Sequence, residues 1–306
     1  MTDYYKNHLS DFLSWDQLPH AEEYVLYPQN LGPDLCIDET ALSNGELVTN
    51  VINRAGHGKR GTVVAVIKGT KSEEVVKCLK KIPLEQREQV ESITLDMANS
   101  MYSIAHQAFP KALQIIDRFH VQKLMYEALQ DLRIQYRWLA MDEENMAIRQ
   151  AREKGEAYTP VRFDNGDSRK QLLARSRYLL FKSPDKWTKT QETRANIIFR
   201  QYDDLKQLYY LTLHLGKIYS TSYDKDVART KLALGFNKVE EWGYPQFNTV
   251  IRTFSLHYER ILNFFVGRQT NAAAESFNAK LKAFRADFRG VTDMKFFLFR
   301  VAKLYA

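Results

Sequence analysis

Three acidic residues stand where a carboxylate is costly unless a cation accompanies it. Asp38 lies midway along the apolar run Leu35-Cys36-Ile37-Asp38-Glu39-Thr40, and Asp96 ends the run Ser92-Ile93-Thr94-Leu95-Asp96. Glu275 falls early in the stretch Thr270-Asn271-Ala272-Ala273-Ala274-Glu275. An acid held near a core must be paired or bind a metal. Three converging carboxylates repel one another and raise each other's pKa unless divalent cations neutralise them. Hard oxygen ligands with open positions suit Mg²⁺ or Mn²⁺. Two such ions can activate an attacking hydroxyl and stabilise the leaving oxygen in an in-line displacement at phosphorus. Singly, each acid has a plainer role: a strand-end Asp serves turns and caps, and a Glu in a first helical turn suits the macrodipole. The joint placement carries the chemistry.

The elements that must position these acids follow from apolar periodicity. Three β-branched runs, Leu35 to Thr40, Leu47 to Ile52 and Thr62 to Ile67, are separated by Asn44-Gly45 and by Gly56 to Gly61, and read as an antiparallel meander. Ser72, as N-cap, opens a helix that Pro83 closes. A fourth strand ends at Asp96, a helix runs from Ser100 to Ala108, and a fifth strand, Ala112 to Ile116, leads into Asp117-Arg118-Phe119-His120. The helical crossover makes the last two strands parallel. The expected fold class is α/β, a mixed five-stranded sheet with flanking helices and ligands beyond the strand ends. If the fourth strand lies beside the first, Asp38 and Asp96 meet at one edge, and a returning helix brings in Glu275.

Residues 1–34 read as an irregular lead-in that packs on the core. Residues 35–120 form the first part of the core, and residues 121–265 a large all-α insertion with helical periodicity throughout. Residues 266–306 return as C-terminal helices, the last spanning Asp293 to Tyr305.

Composition narrows the partners. The 306 residues carry 44 Lys and Arg against 37 Asp and Glu, a formal charge of +7 that favours an anionic partner such as nucleic acid over an acidic small molecule. Two cysteines, Cys36 and Cys78, provide no disulfide framework and no zinc ribbon. No signal-type segment and no run of ~20 apolar residues is present, so no membrane association and a cytoplasmic location are expected. A Gly-x-x-x-x-Gly-Lys signature is absent, and no nucleotide cofactor is expected.

Basic and aromatic residues supply candidate DNA contacts. In the insertion these are Arg175, Arg177, Lys182 and Trp187, the tryptophan placed in a loop after Pro184; Lys59 and Arg60 lie in the turn between strands. Helical spacing makes core residues of many aromatics in this stretch.

Together, Cys36-Ile37-Asp38-Glu39, Ile93-Thr94-Leu95-Asp96-Met97 and Thr270-Asn271-Ala272-Ala273-Ala274-Glu275-Ser276-Phe277-Asn278 resemble a DDE transposase with an RNase H-like catalytic core, of the bacterial ISL-three group and its ISAon type. The resemblance runs from about residue 15 to the end, and Asp117-x-x-His120 strengthens it. It implies that Asp38, Asp96 and Glu275 are the catalytic triad holding two Mg²⁺ or Mn²⁺ ions. It implies metal-dependent cleavage at transposon ends and 3′-hydroxyl strand transfer; a nuclease that does not join, or an inactive DNA-binding derivative, are the alternatives. Asp117 and His120 either support the site or serve as a helix cap with a satisfied histidine. Lys282, two helical turns after Glu275, matches a DNA-contacting lysine, although Arg268 and Asn271 stand where related groups carry a Tyr and an Arg. Asn271 reads as the cap of the helix presenting Glu275. Glu39 points to the opposite strand face and is left out of the site. The implied partners are double-stranded DNA, a second copy in a homodimer, and a separate end-recognition protein with a zinc-binding and helix-turn-helix region, in the nucleoid of a bacterial cytoplasm.

Overall fold

The computed structural model describes residues 4–42, 45–287 and 293–306. They form two compact units, Met1–His120 with Glu259–Ala306, and Val121–Tyr258. Asn44 of the expected Asn44-Gly45 turn lies outside the described residues.

The first unit is built on a mixed sheet of strands β1 (Tyr24–Leu26), β2 (Asp34–Ala41), β3 (Leu47–Asn53), β4 (Val63–Lys68), β5 (Ser92–Leu95) and β6 (Leu113–Ile116), in the order β1-β4-β3-β2-β5-β6. Among the described residues the sheet has six strands, not the expected five. The extra one comes from the segment read as an irregular lead-in: Tyr24–Leu26 is too short to show alternation, and it gains strand geometry by pairing antiparallel along β4 at the sheet edge. The β2–β3–β4 meander is antiparallel, whereas β2–β5 and β5–β6 are parallel.

Val63 to Ile67 are all buried, the near-continuous apolar run of a strand covered on both faces. One cover consists of helices α1 (Ser72–Leu79) and α3 (Asn99–Ala108), with the short α2 (Leu84–Arg87) between them in sequence. Ser72 is the first residue of α1, not its cap; Lys71 holds the cap position, with no side-chain capping bond. The other cover is the helix Ala272–Asp287, whose Ala274, Phe277 and Leu281 enter a core with Cys36, Val48, Ile52, Val66 and Val301. Phe12 of the N-terminal segment packs edge-on against Phe296 at 5.3 Å. The turn after β3 closes so tightly that a Cβ on Gly56 would stand 2.6 Å from Thr62 Cα, and His57 takes a left-handed φ of 50°.

The second unit is helical. It takes most of α4 (Arg118–Glu153), then α5 (Arg169–Arg175), α6 (Lys189–Gln201), α7 (Asp203–Thr221), α8 (Lys225–Trp242) and the larger part of α9 (Asn248–Leu262). A reciprocal capping box starts α6: Gln191 N–H donates to Thr188 Oγ1 (3.3 Å) and Thr188 N–H to Gln191 Oε1 (3.1 Å). Asp167, its side chain 1% exposed, pairs with Arg194 at 2.9 Å and with Arg175. Burial alone would raise its carboxyl, but hydrogen bonds and charge from both arginines outweigh it and hold the group below its ordinary value.

A carboxyl depressed in the folded state contributes stability above its unfolded pKa and loses it as pH falls through the folded value. Asp167→Asn is therefore expected to lower stability at pH 7 by about 2 kcal/mol. Denaturant titration should show the gap between the two proteins starting to narrow below about pH 4, where the unfolded carboxyl protonates, and closing at the lower pH where the folded one does.

Candidate metal centre

The acids converge because of strand register. Cys36 pairs with Thr94 across the parallel β2–β5 ladder, and Leu95 with Ile116 across β5–β6. Two residues beyond the first pair lie Asp38 and Asp96; one beyond the second pair lie Asp96 and Asp117. Three aspartates thus stand at neighbouring levels where β5 and β6 end and β2 runs on with β3. Asp38 shares its strand face with Cys36, the face covered by Ala272–Asp287.

That helix, α11 with α10 taken as Phe264–Gly267, brings in the rest. Its buried stripe Ala274, Phe277, Asn278, Leu281 and Arg285 follows helical periodicity, and Glu275 lies at the exposed margin one residue past Ala274. Asn278, one turn after Glu275, donates through Nδ2 to Asp38 Oδ2 at 2.7 Å. Its own oxygen accepts from Asn50 Nδ2 at 2.8 Å, and Asn50 sits opposite Asp38 on β3. Asn50 Nδ2 also donates to Thr40 Oγ1 at 3.0 Å. Asp38 Oδ1 accepts the Glu39 backbone N–H at 2.9 Å, so both carboxylate oxygens are oriented. Asp96 Oδ1 accepts the Ala98 N–H at 2.8 Å, which fixes that carboxylate in the turn before α3.

Asp117 is 2% exposed and precedes α4, where its Oδ1 accepts the Phe119 N–H at 3.3 Å. His120 follows in the first helical turn. One ligand atom each from Asp117, His120 and Glu275 lies within 4.8 Å of the others. His120 Nε2 is buried without a hydrogen-bond partner, as is Asn271 Nδ2.

The electrostatics ask for positive charge. Burial, first of all, raises the Asp38 carboxyl above its ordinary range; the Glu39 N–H and His120 oppose this, while Asp96 and Glu275 add to it. Exposed Glu39 belongs to the other strand face, yet burial followed by the charges of Asp96 and Asp38 raises it too. Oxygen donors of one sign beside an imidazole nitrogen lacking a partner fit a hard divalent cation.

Among the described residues, the group whose ligand atoms all lie within 4.8 Å of one another is Glu275 with Asp117 and His120; Asp38 and Asp96 do not belong to it, although both Asp96 and Glu275 bear on the Asp38 carboxyl through their charge. Asn271 stands just before the helix, where its backbone carbonyl receives the Glu275 N–H at 3.0 Å, while its Oδ1 accepts from the Thr94 hydroxyl at 3.3 Å. Asn278 and Asn50 carried no role in the sequence reading. Their signals were an amide one helical turn after Glu275 and a lone Asn inside an apolar strand.

Among the basic candidates, Lys59, Arg60 and Lys282 are exposed. Lys280 Nζ donates to the Gly58 carbonyl at 3.0 Å, which ties the Lys59–Arg60 turn to the helix bearing Lys282. Arg177 is exposed, its guanidinium 5.4 Å from the Tyr178 ring. Three others are structurally engaged. Arg175 serves buried Asp167. Half-buried Lys182 reaches Gln191 at 3.4 Å. Trp187, expected as an open stacking surface, stacks on Tyr209 at 5.6 Å and donates its Nε1–H to the Leu179 carbonyl at 2.8 Å, because the loop after Pro184 folds back onto the helical core.

No helix among the described residues is long and apolar enough to cross a membrane. Comparison with curated proteins and with solved structures gives no match. The model of the DDE transposase family DDE_Tnp_ISL3, described as Transposase, matches residues 35–301, a span that contains every acid of the cluster. The chain belongs to this family of DDE transposases, DNA-binding enzymes that process nucleic acid with divalent metals.

Proposed function

We propose that the chain is a transposase catalytic subunit with an RNase H-like core, which cleaves DNA strands at element ends and joins the freed 3′ end to target DNA, its hydroxyl attacking a target phosphodiester and displacing the target strand's own 3′ oxygen. Two observations support this reading: the strand register that sets Asp38, Asp96 and Asp117 at neighbouring levels, and the close group of Asp117, His120 and Glu275. Asp38, Asp96 and Glu275 would hold Mg²⁺ or Mn²⁺, two ions per site, with donors from Asp117 and His120 adjoining. When bound, such ions supply Lewis acidity at phosphorus and lower the pKa of an attacking hydroxyl.

The protein's own part is positioning. Asn278 and the Glu39 N–H fix the two oxygens of Asp38, and the Ala98 N–H fixes one oxygen of Asp96, so reorganisation during the reaction is small. Exposed Lys59, Arg60 and Lys282 on adjoining elements would neutralise phosphates of the bound strand. Arg177 and Lys182 are weaker candidates for the same role, and the engaged Arg175 and Trp187 are set aside. No covalent protein intermediate is required.

The decisive assay is cleavage of a duplex carrying the DNA that flanks this reading frame, with Mn²⁺. Asp38→Asn and Glu275→Gln are each expected to abolish cleavage while DNA retention persists. Retention lost together with cleavage would assign these acids to binding or folding instead. Joined products from pre-cut ends support strand transfer; cleavage that never yields them reduces the activity to that of a nuclease.

Metal dependence has a second readout. In chelator, Asp38→Asn should unfold at or above the wild-type temperature, because one repelling charge is gone. Mn²⁺ should raise the melting temperature of the wild type and leave that of the variant nearly unmoved. Asn278→Ala is expected to slow cleavage about 10–100-fold and to raise the Mn²⁺ concentration required, as loss of a ligand-orienting partner does.

Replacing Lys59 and Arg60 together by Gln should weaken DNA retention uniformly across sequences. The slope of log affinity against log salt should fall by about one for each phosphate no longer neutralised. An unchanged slope would remove this turn from the interface.

A further inference from the structure

Asp117 and His120 are held together by the chain itself. The His120 N–H donates to the Asp117 carbonyl at 3.1 Å, so the two side chains leave the start of α4 three residues apart and on one face. Asp117 is buried, and its Oδ1 already accepts the Phe119 N–H, which leaves Oδ2 for another bond. The Phe119 ring packs edge-on against the imidazole at 5.7 Å. His120 Nε2 is shut off from water and has no hydrogen-bond partner. A buried ring nitrogen with nothing to bond is an unmet demand that a metal ion satisfies.

This donor set differs in kind from the strand aspartates. Ligand atoms of Asp117, His120 and Glu275 lie within 4.8 Å of one another, and neither Asp38 nor Asp96 belongs to the group. Carboxylates alone suit Mg²⁺, whereas an imidazole beside two carboxylates suits a borderline ion such as Zn²⁺. Three ligands about 2.1 Å from a tetrahedral ion stand about 3.4 Å from one another and leave a fourth position for water. Glu275 is exposed, and its long side chain can close the remaining distance by rotating, while buried Asp117 and its neighbour His120 stay in place.

We propose that Asp117, His120 and Glu275 form a separate, inhibitory site for Zn²⁺, whose occupancy draws Glu275 away from Asp38 and Asp96. Two carboxylate oxygens and His120 Nε2 bind the ion, and water completes its shell. The inhibitory half rests on the catalytic reading above: a Glu275 turned toward His120 no longer completes the Mg²⁺ centre. The binding half stands apart from that reading, so each can fail without the other.

Titration of Co²⁺ into the full chain, freed of metal by chelator, tests the site. The expected result is the visible absorption of a low-coordinate protein site, bleached by Zn²⁺ but not by an equal amount of Mg²⁺. Asp38→Asn should keep this spectrum, whereas His120→Gln and Glu275→Gln should each weaken Zn²⁺ binding tenfold or more. Glu275 is exposed, so its variant keeps the fold, and circular dichroism checks that of His120→Gln. No binding by the wild type, or binding lost in Asp38→Asn and kept in His120→Gln, would overturn the proposal. In Mn²⁺-supported cleavage, Zn²⁺ should inhibit the wild type, and His120→Gln, measured against its own rate, should need at least tenfold more. Zn²⁺ bound through His120 without inhibition would overturn the inhibitory half. A chain that binds Zn²⁺ this way but never cleaves DNA would overturn the catalytic reading and its inhibition while upholding the site.

Discussion

Mutual repulsion among carboxylates is the constraint around which the first unit is arranged. Parallel register sets Asp38, Asp96 and Asp117 at neighbouring levels, and Glu275 enters from the covering helix. Left to themselves such groups would move apart or take up protons; the Asp38 carboxyl is raised first by burial, and the charges of Asp96 and Glu275 add to it. The sheet resists the first response because its strands are hydrogen-bonded over an apolar core. A buried amide relay, Asn50 to Asn278 to Asp38, holds the carboxylate in place through donors that carry no charge. The relay runs through donated N–H groups alone, for Asn50 Oδ1 is buried without a partner.

The helix Ala272–Asp287 serves several demands with one amphipathic pattern. Its apolar stripe seals the sheet face, Asn278 at the polar end of that stripe reaches Asp38, and Glu275 at the margin faces Asp117 and His120. Further along, Arg285 grips Glu46 through two contacts of 3.2 Å, and Lys280 holds the Gly58 carbonyl. A rotation of this helix by a fraction of a turn would break the core seal and the acid cluster together. The site is thereby coupled to the packing that stabilises the fold.

In the helical unit the residue types that suggest DNA contact divide by their partners. Trp187 and Arg175 satisfy internal demands, one filling an aromatic cluster with Tyr209 and Phe199, the other neutralising a buried carboxylate. Arg177 remains exposed. A guanidinium or an indole is equally apt for either purpose, so composition alone does not separate them. The deciding feature is Asp167: a buried acid recruits the cations within its reach before any external phosphate can.

The amino-acid sequence by itself determined the meander, the two parallel strands and the three acids at their places, because strand period, turn residues and crossover length are local properties of the chain. It also carried the family resemblance through short motifs around each acid. Only the tertiary structure decided that Tyr24–Leu26 becomes a sixth strand, since three residues without alternation gain strand geometry solely from a paired neighbour. Tertiary structure likewise gave Asn50 and Asn278 their roles, joined Glu275 with Asp117 and His120, and turned Trp187 inward. Those outcomes depend on contacts between residues far apart in the chain, where burial and hydrogen-bond satisfaction, not local propensity, set the free energy.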